Sequence, residues 1–228
     1  MAIFRQLFDD DTSTYTYLIA DESTRDAVLI DPVHAQYERD MRVLEETGVQ
    51  LRYVLETHVH ADHITGGGRI RAATGAQFAA GVGTALDCAD RLLADGESLA
   101  FGRERIRAIS TPGHTDGCTS YRWRDRLFTE DTLLIEACGR TDFQQGSAER
   151  LYESIQRLLA EGDDVLVFPA HDYNGRRVST VAQEKALNPY VAGLSREQFV
   201  AKMAALNLPK PRYIDEAVPA NERCGELA

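Results

Sequence analysis

At 228 residues, with 43% apolar and 27% charged side chains, the chain has the make-up of a soluble globular protein long enough to bury a substantial core. Its net charge of −11 excludes nucleic acid and anionic membrane surfaces as natural partners, because both call for a basic footprint. No basic segment followed by a long apolar run opens the chain, so neither a signal peptide nor a membrane helix is expected.

In chain order, residues 3–31 read as an opening strand and a hairpin. Residues 14–20 are rich in β-branched and aromatic side chains, 21–24 are turn material, and 27–30 form an apolar strand stopped by Asp31-Pro32. Tyr37, Met41 and Leu44 then recur at helical spacing up to Gly48. Residues 51–55 predict a short strand. Gly66-Gly67-Gly68 suits either a flexible turn or a close approach of backbone to a ligand, before a helix over 69–73. A strand at 76–80, a helix at 84–94 and two strands within 97–110 follow, joined at Phe101-Gly102-Arg103. Residues 119–123 and 126–129 predict a hairpin. An amphipathic helix spans 147–161, and a final strand lies at 165–168. Ser195-Arg196-Glu197-Gln198 has the form of a capping box, while the proline-spotted residues 208–228 are expected to be irregular.

The histidines carry the chemistry. Three of six fall in Thr57-His58-Val59-His60-Ala61-Asp62-His63, directly after the strand at 51–55. Two more, His114 and His171, sit in or just after apolar runs, and only His34 stands apart. Buried unpaired, three imidazoles within six residues would carry a large desolvation cost, so a metal is expected. Imidazole and carboxylate together suit zinc, iron, manganese or nickel. The four cysteines, Cys88, Cys118, Cys138 and Cys224, form no CxxC pair. Reduced thiols in a cytoplasmic protein are the expectation, with Cys118 and Cys138 as small buried hydrophobes and Cys224 as a surface thiol. Trp123 reads as core. Asp31 either caps its turn or supports the metal site.

Thr57-His58-Val59-His60-Ala61-Asp62-His63, Pro112-Gly113-His114-Thr115, Asp131 and Ala170-His171-Asp172 resemble, in order, the metal-binding motifs of the metallo-β-lactamase superfamily. The resemblance covers most of the chain. It implies an α/β fold, an αββα sandwich of mixed sheets flanked by helices, with the metal at one edge of the sheets. One domain would span 1–228, with 195–228 as a C-terminal helix and irregular tail packed on it. Cys138-Gly139-Arg140-Thr141-Asp142-Phe143-Gln144-Gln145-Gly146, Asn207-Leu208-Pro209-Lys210-Pro211 and Ala217-Val218-Pro219-Ala220-Asn221-Glu222-Arg223-Cys224-Gly225 are similar to its persulfide dioxygenase branch.

That branch oxidises glutathione persulfide with O2 to sulfite and glutathione at one non-haem Fe(II). Carried onto this sequence, the resemblance implies one Fe(II) per chain held by His58, His114 and Asp131. His60, Asp62, His63 and His171 would stay near the metal without ligating it, and Arg140 and Tyr173 would contact glutathione. A homodimer and a sulfurtransferase of the rhodanese class as partner are also implied. Two positions depart from the pattern. Glu130 stands where many relatives have glycine, and is expected to point to solvent. Tyr190 replaces a common arginine. The competing readings are a glyoxalase II-like thioester hydrolase with two metals bridged by Asp131, and a non-catalytic metal-stabilised module with a closed ligand set.

Overall fold

The computed structural model describes residues 1–227. Two six-stranded sheets face each other. The first runs β1 (Ala2–Asp9), β2 (Thr14–Asp21), β3 (Asp26–Ile30), β4 (Gln50–Leu55), β5 (Gln77–Gly81) and β6 (Arg91–Leu93) in spatial order. Its first three strands pair antiparallel and the rest parallel. The second sheet contains β7 (Ser98–Phe101), β8 (Glu104–Ser110), β9 (Thr119–Trp123), β10 (Arg126–Glu130), β11 (Leu166–Pro169) and β12 (Ser179–Thr180), with the one parallel pair between β10 and β11.

Strand β2 shows how the pattern builds layers. Successive side chains alternate across a strand. Tyr15, Tyr17 and Ile19 enter the core between the sheets, beside Val28, Leu55, Phe101, Tyr121, Trp123 and Phe128. Leu18 and Ala20 face the other way, toward Leu44 and Ile70 of helices α1 (Tyr37–Thr47) and α2 (Gly67–Thr74). Trp123 is core, as expected. On the far side, α3 (Ala148–Leu159) lays Leu151, Ile155, Leu158 and Leu159 on the second sheet, together with α4 (Val181–Leu187) and α5 (Arg196–Ala204). Each fully buried Leu or Ile contributes about 1.5–3 kcal/mol. Ser147 caps α3 by accepting the Arg150 N–H, and Ser195 with Gln198 forms the anticipated capping box on α5. The result is the αββα sandwich.

Three stretches differ from expectation. Residues 84–94 do not form a helix. Asp90 exchanges two hydrogen bonds with the Phe78 backbone, which draws the segment onto β5 as strand β6. The tail is not irregular throughout, because α6 (Ile214–Asn221) forms within it and buries Ala217, Ala220 and Asn221. Tertiary packing outweighs the unfavourable proline at 219. Cys224 is not a surface thiol. It is fully buried and joined to Cys88 by a disulfide, leaving Cys118 and Cys138 as the free thiols. Among the described residues, no helix is long and apolar enough to cross a membrane.

Candidate metal centre

The motif residues converge at the carboxyl ends of β4, β8, β10 and β11, where sheet layers commonly present ligand groups. His58, His60 and His63 follow β4, His114 lies in the loop after β8, Asp131 follows β10 directly, and His171 follows β11. Ligand atoms of His58, His114 and Asp131 all lie within 4.8 Å of one another, and so do those of His60, Asp62 and His63. The ring centroids of His58 and His60 are 4.1 Å apart, and those of His58 and His114 are 5.1 Å apart.

Each imidazole is held by its other nitrogen. His114 donates from Nδ1 to the Arg140 carbonyl at 2.7 Å, leaving Nε2 3.3 Å from Asp131 Oδ2. Gly139 permits this packing. A Cβ there would lie 2.5 Å from the Asp131 carbonyl and 2.9 Å from His114 Nδ1. His58 Nδ1 lies 3.0 Å from Thr57 Oγ1 and 3.3 Å from Glu130 Oε2. Thr57 gives its hydroxyl proton to Asp31 Oδ2, so its oxygen accepts from His58 and fixes the proton on Nδ1. His58 Nε2 is the lone pair left for a metal. Burial, with His60 and His114 beside it, holds His58 well below the usual imidazole range and so neutral.

His60 is engaged differently. Its Nε2 lies 3.2 Å from Asp31 Oδ1 and 3.3 Å from Glu56 Oε2. Burial disfavours charge on His60, but Asp31 and Glu56 override it and raise its pKa well above the usual value. Asp31 thus supports the site rather than merely capping its turn. His63 Nδ1 pairs with Asp62 at 2.9 Å, and His171 Nε2 stands 3.7 Å from Asp62 and 3.4 Å from Asp131 Oδ1. Asp131 Oδ1, His60 Nδ1 and His63 Nε2 are buried with no hydrogen-bond partner in the protein. Buried polar atoms of this kind are normally satisfied, and a bound cation would satisfy the carboxylate oxygen. The donor set therefore fits a metal.

Glu130 does not point to solvent. It is buried behind His58, with Oε1 accepting from the hydroxyls of Thr132 and Thr111, and Oε2 accepting the Asp131 N–H at 3.1 Å. Burial pushes its carboxyl up to about 8. Its backbone sits at φ +45°, a left-handed conformation that costs a non-glycine residue about 1–2 kcal/mol. Sequence reasoning missed this placement, along with Glu56 and Asn221. Asn221 donates to the carbonyls of His60 and His63 and accepts the Thr65 N–H. The close approach at Gly68 is to the Cys224 carbonyl, not to a ligand.

A cleft of about 590 Å³ opens over His114, Asp131 and His171. Arg140, Tyr173, Pro209, Arg212 and Tyr213 line it. The Arg140 guanidinium is already engaged, with paired hydrogen bonds to Asp142 and further ones to the Pro209 and Leu208 carbonyls. Tyr173 is mostly exposed and stacks on His171. Arg212, unmarked in the sequence reading, lies over the Tyr213 ring and makes no salt bridge among the described residues. Tyr190 packs among α3 and α5 under the Lys202 ammonium, away from the cleft.

The metallo-beta-lactamase superfamily model matches residues 9–171. Persulfide dioxygenase ETHE1, mitochondrial, of Bos taurus is 48% identical over 227 residues, covering 98% of this chain and 89% of the relative. The Homo sapiens protein of the same name is 47% identical over the same span, with the same two coverages. The crystal structure of ETHE1 from Myxococcus xanthus superposes with a TM-score of 0.96 at 51% identity, covering 98% of this chain and 100% of that one. A metallo-beta-lactamase structure from Staphylococcus aureus, 22% identical, shares the fold with a TM-score of 0.90 over 97% of this chain and 72% of that one. The chain belongs to the metallo-beta-lactamase superfamily and, within it, to the family of ETHE1 persulfide dioxygenases.

Proposed function

We propose that this enzyme is an Fe(II)-dependent persulfide dioxygenase that converts glutathione persulfide, O2 and water to glutathione and sulfite, with release of two protons. The observation that carries the assignment of the metal is the convergence of His58, His114 and Asp131, of which His114 and Asp131 line the cleft. Two imidazoles and one carboxylate suit non-haem Fe(II) and leave coordination positions for other ligands. Iron, when bound, supplies the electron chemistry that O2 requires.

The chain's own groups do the rest. His58 and His114 are each locked through Nδ1, so both present Nε2 without reorientation. Arg212 offers a guanidinium for a carboxylate of the tripeptide, in the paired hydrogen-bond geometry such groups favour. Arg140 shapes the same wall by tying the 208–209 backbone to Asp142. Tyr173, stacked on His171, covers the outer side of the cleft. His171 and Asp62 stand 3.7 Å apart at the inner wall, placed to take the protons that water loses.

A dinuclear hydrolase would hold two metals per chain, and the metal count distinguishes it from the one-iron reading. The test is an anaerobic iron titration. Wild-type protein is expected to bind one Fe(II) per chain, with binding lost in His58→Ala, His114→Ala and Asp131→Ala. Binding of two metals per chain, or unchanged binding in those variants, contradicts the assignment.

A further inference from the structure

We propose that Glu130 is a positioning residue for the metal centre, its Oε2 set against His58 Nδ1 and so helping Thr57 to aim Nε2 at the metal. The inference rests on the reading of His58 as a ligand.

Three independent observations support it. Glu130 Oε2 lies 3.3 Å from His58 Nδ1 in a buried pocket. The groups hydrogen-bonded to that carboxyl are donors: the hydroxyls of Thr111 and Thr132, and the Asp131 N–H. Oε2 therefore acts as an acceptor. Finally, Glu130 holds a left-handed backbone, φ +45°, a conformation that favours glycine. A side chain kept in a conformation that penalises side chains points to work done by that side chain.

The contact also reaches both ends of the ligand set. Through Oε2, one carboxylate touches the ring of His58 and the backbone of Asp131, so it couples the position of two of the three ligands. Thr57 holds the same nitrogen from the other side. The imidazole is thus gripped between a hydroxyl and a carboxylate, and its rotation about the Cβ–Cγ bond is restricted before any metal arrives. Partners of this kind alter metal affinity by about 10–100-fold.

The experiment measures Fe(II) affinity by chelator competition for Glu130→Gly and Glu130→Gln, with His58→Ala as the reference and thermal melting of each metal-free protein alongside. Glu130→Gly relieves the backbone but removes three hydrogen bonds of a buried carboxyl, so melting reports its stability separately from its iron affinity, which is expected to fall about tenfold or more. Glu130→Gln keeps an acceptor oxygen and is expected to recover most of that affinity. Wild-type affinity in Glu130→Gly, or equal weakness in both variants, overturns the inference. If His58→Ala abolishes binding while Glu130→Gly leaves it intact, only this inference fails. If His58→Ala binds normally, the ligand assignment fails with it. A measurement on the unaltered protein adds a check that does not depend on variant folding. Nitrogen-15 NMR of the metal-free chain should show His58 as the Nδ1–H tautomer, and the Nε2–H tautomer would contradict the proposal.

Discussion

Asn221 and His63, 158 residues apart in sequence, are joined by a buried hydrogen bond of 2.8 Å from the Asn221 amide to the His63 carbonyl. The same amide nitrogen reaches the His60 carbonyl at 2.9 Å, and its oxygen accepts the Thr65 N–H at 2.9 Å. The loop carrying the histidines is therefore clasped by the last helix, α6. Asn221→Ala removes all three bonds and strands buried backbone groups, so a loss of about 2–4 kcal/mol is expected. Chemical denaturation measures it. Iron affinity should fall in parallel, because the loop that presents His58 loosens.

The Cys88–Cys224 disulfide fastens the segment just after α6, and it spans 136 residues of chain. A crosslink over so long a loop contributes about 2–5 kcal/mol. Cys88→Ser, or treatment with dithiothreitol, should lower the denaturation midpoint accordingly. Thiol titration of the unfolded, unreduced chain should count the two free thiols Cys118 and Cys138, and four after reduction.

Arg212 supplies a cation to the cleft without a carboxylate partner of its own, whereas Arg140 is committed to Asp142. Replacing Arg212 by Ala should raise KM for glutathione persulfide about tenfold with little change in kcat, as expected for a binding contact remote from the reacting sulfur. Steady-state kinetics at varied persulfide checks this. An unchanged KM would remove Arg212 from the substrate site.

Stability should carry a pH signature from Asp40 on α1. Burial pushes this carboxyl from 3.8 up to about 6, partly offset by Arg39. Its Oδ2 has no hydrogen-bond partner. A raised folded-state value means the folded chain holds the proton more tightly than the unfolded one. The destabilisation is absent below about pH 3.8 and complete above about pH 6. Asp40→Asn should then stabilise the protein by about 1–3 kcal/mol at pH 8 and by little at pH 3.5. Denaturation curves at the two pH values measure the difference.

The parts legible in the sequence were those set by local pattern. Alternation along β2, the helical stripe of α3 and the crowding of His58, His60 and His63 each follow from a single segment and its period. Asp31 was legible only as a turn cap or a support, and the choice required its contacts with Thr57 and His60 from the next loop. Glu130 was not. A charged residue ending a strand reads as solvent-facing, and its true destination is set by Thr111 and His58, which come from other strands. Cys88 with Cys224 and Asn221 with His63 escaped for the same reason, because no local period links residues so far apart. The mistaken helix at 84–94 lost to the pairing of Asp90 with Phe78 across β5.

Oxygen consumption by the iron-loaded protein supplied with glutathione persulfide tests the central claim most directly. One O2 should disappear for each sulfite formed, with no uptake by the His58→Ala protein. An iron-replete enzyme that consumes no O2 under these conditions would contradict the account.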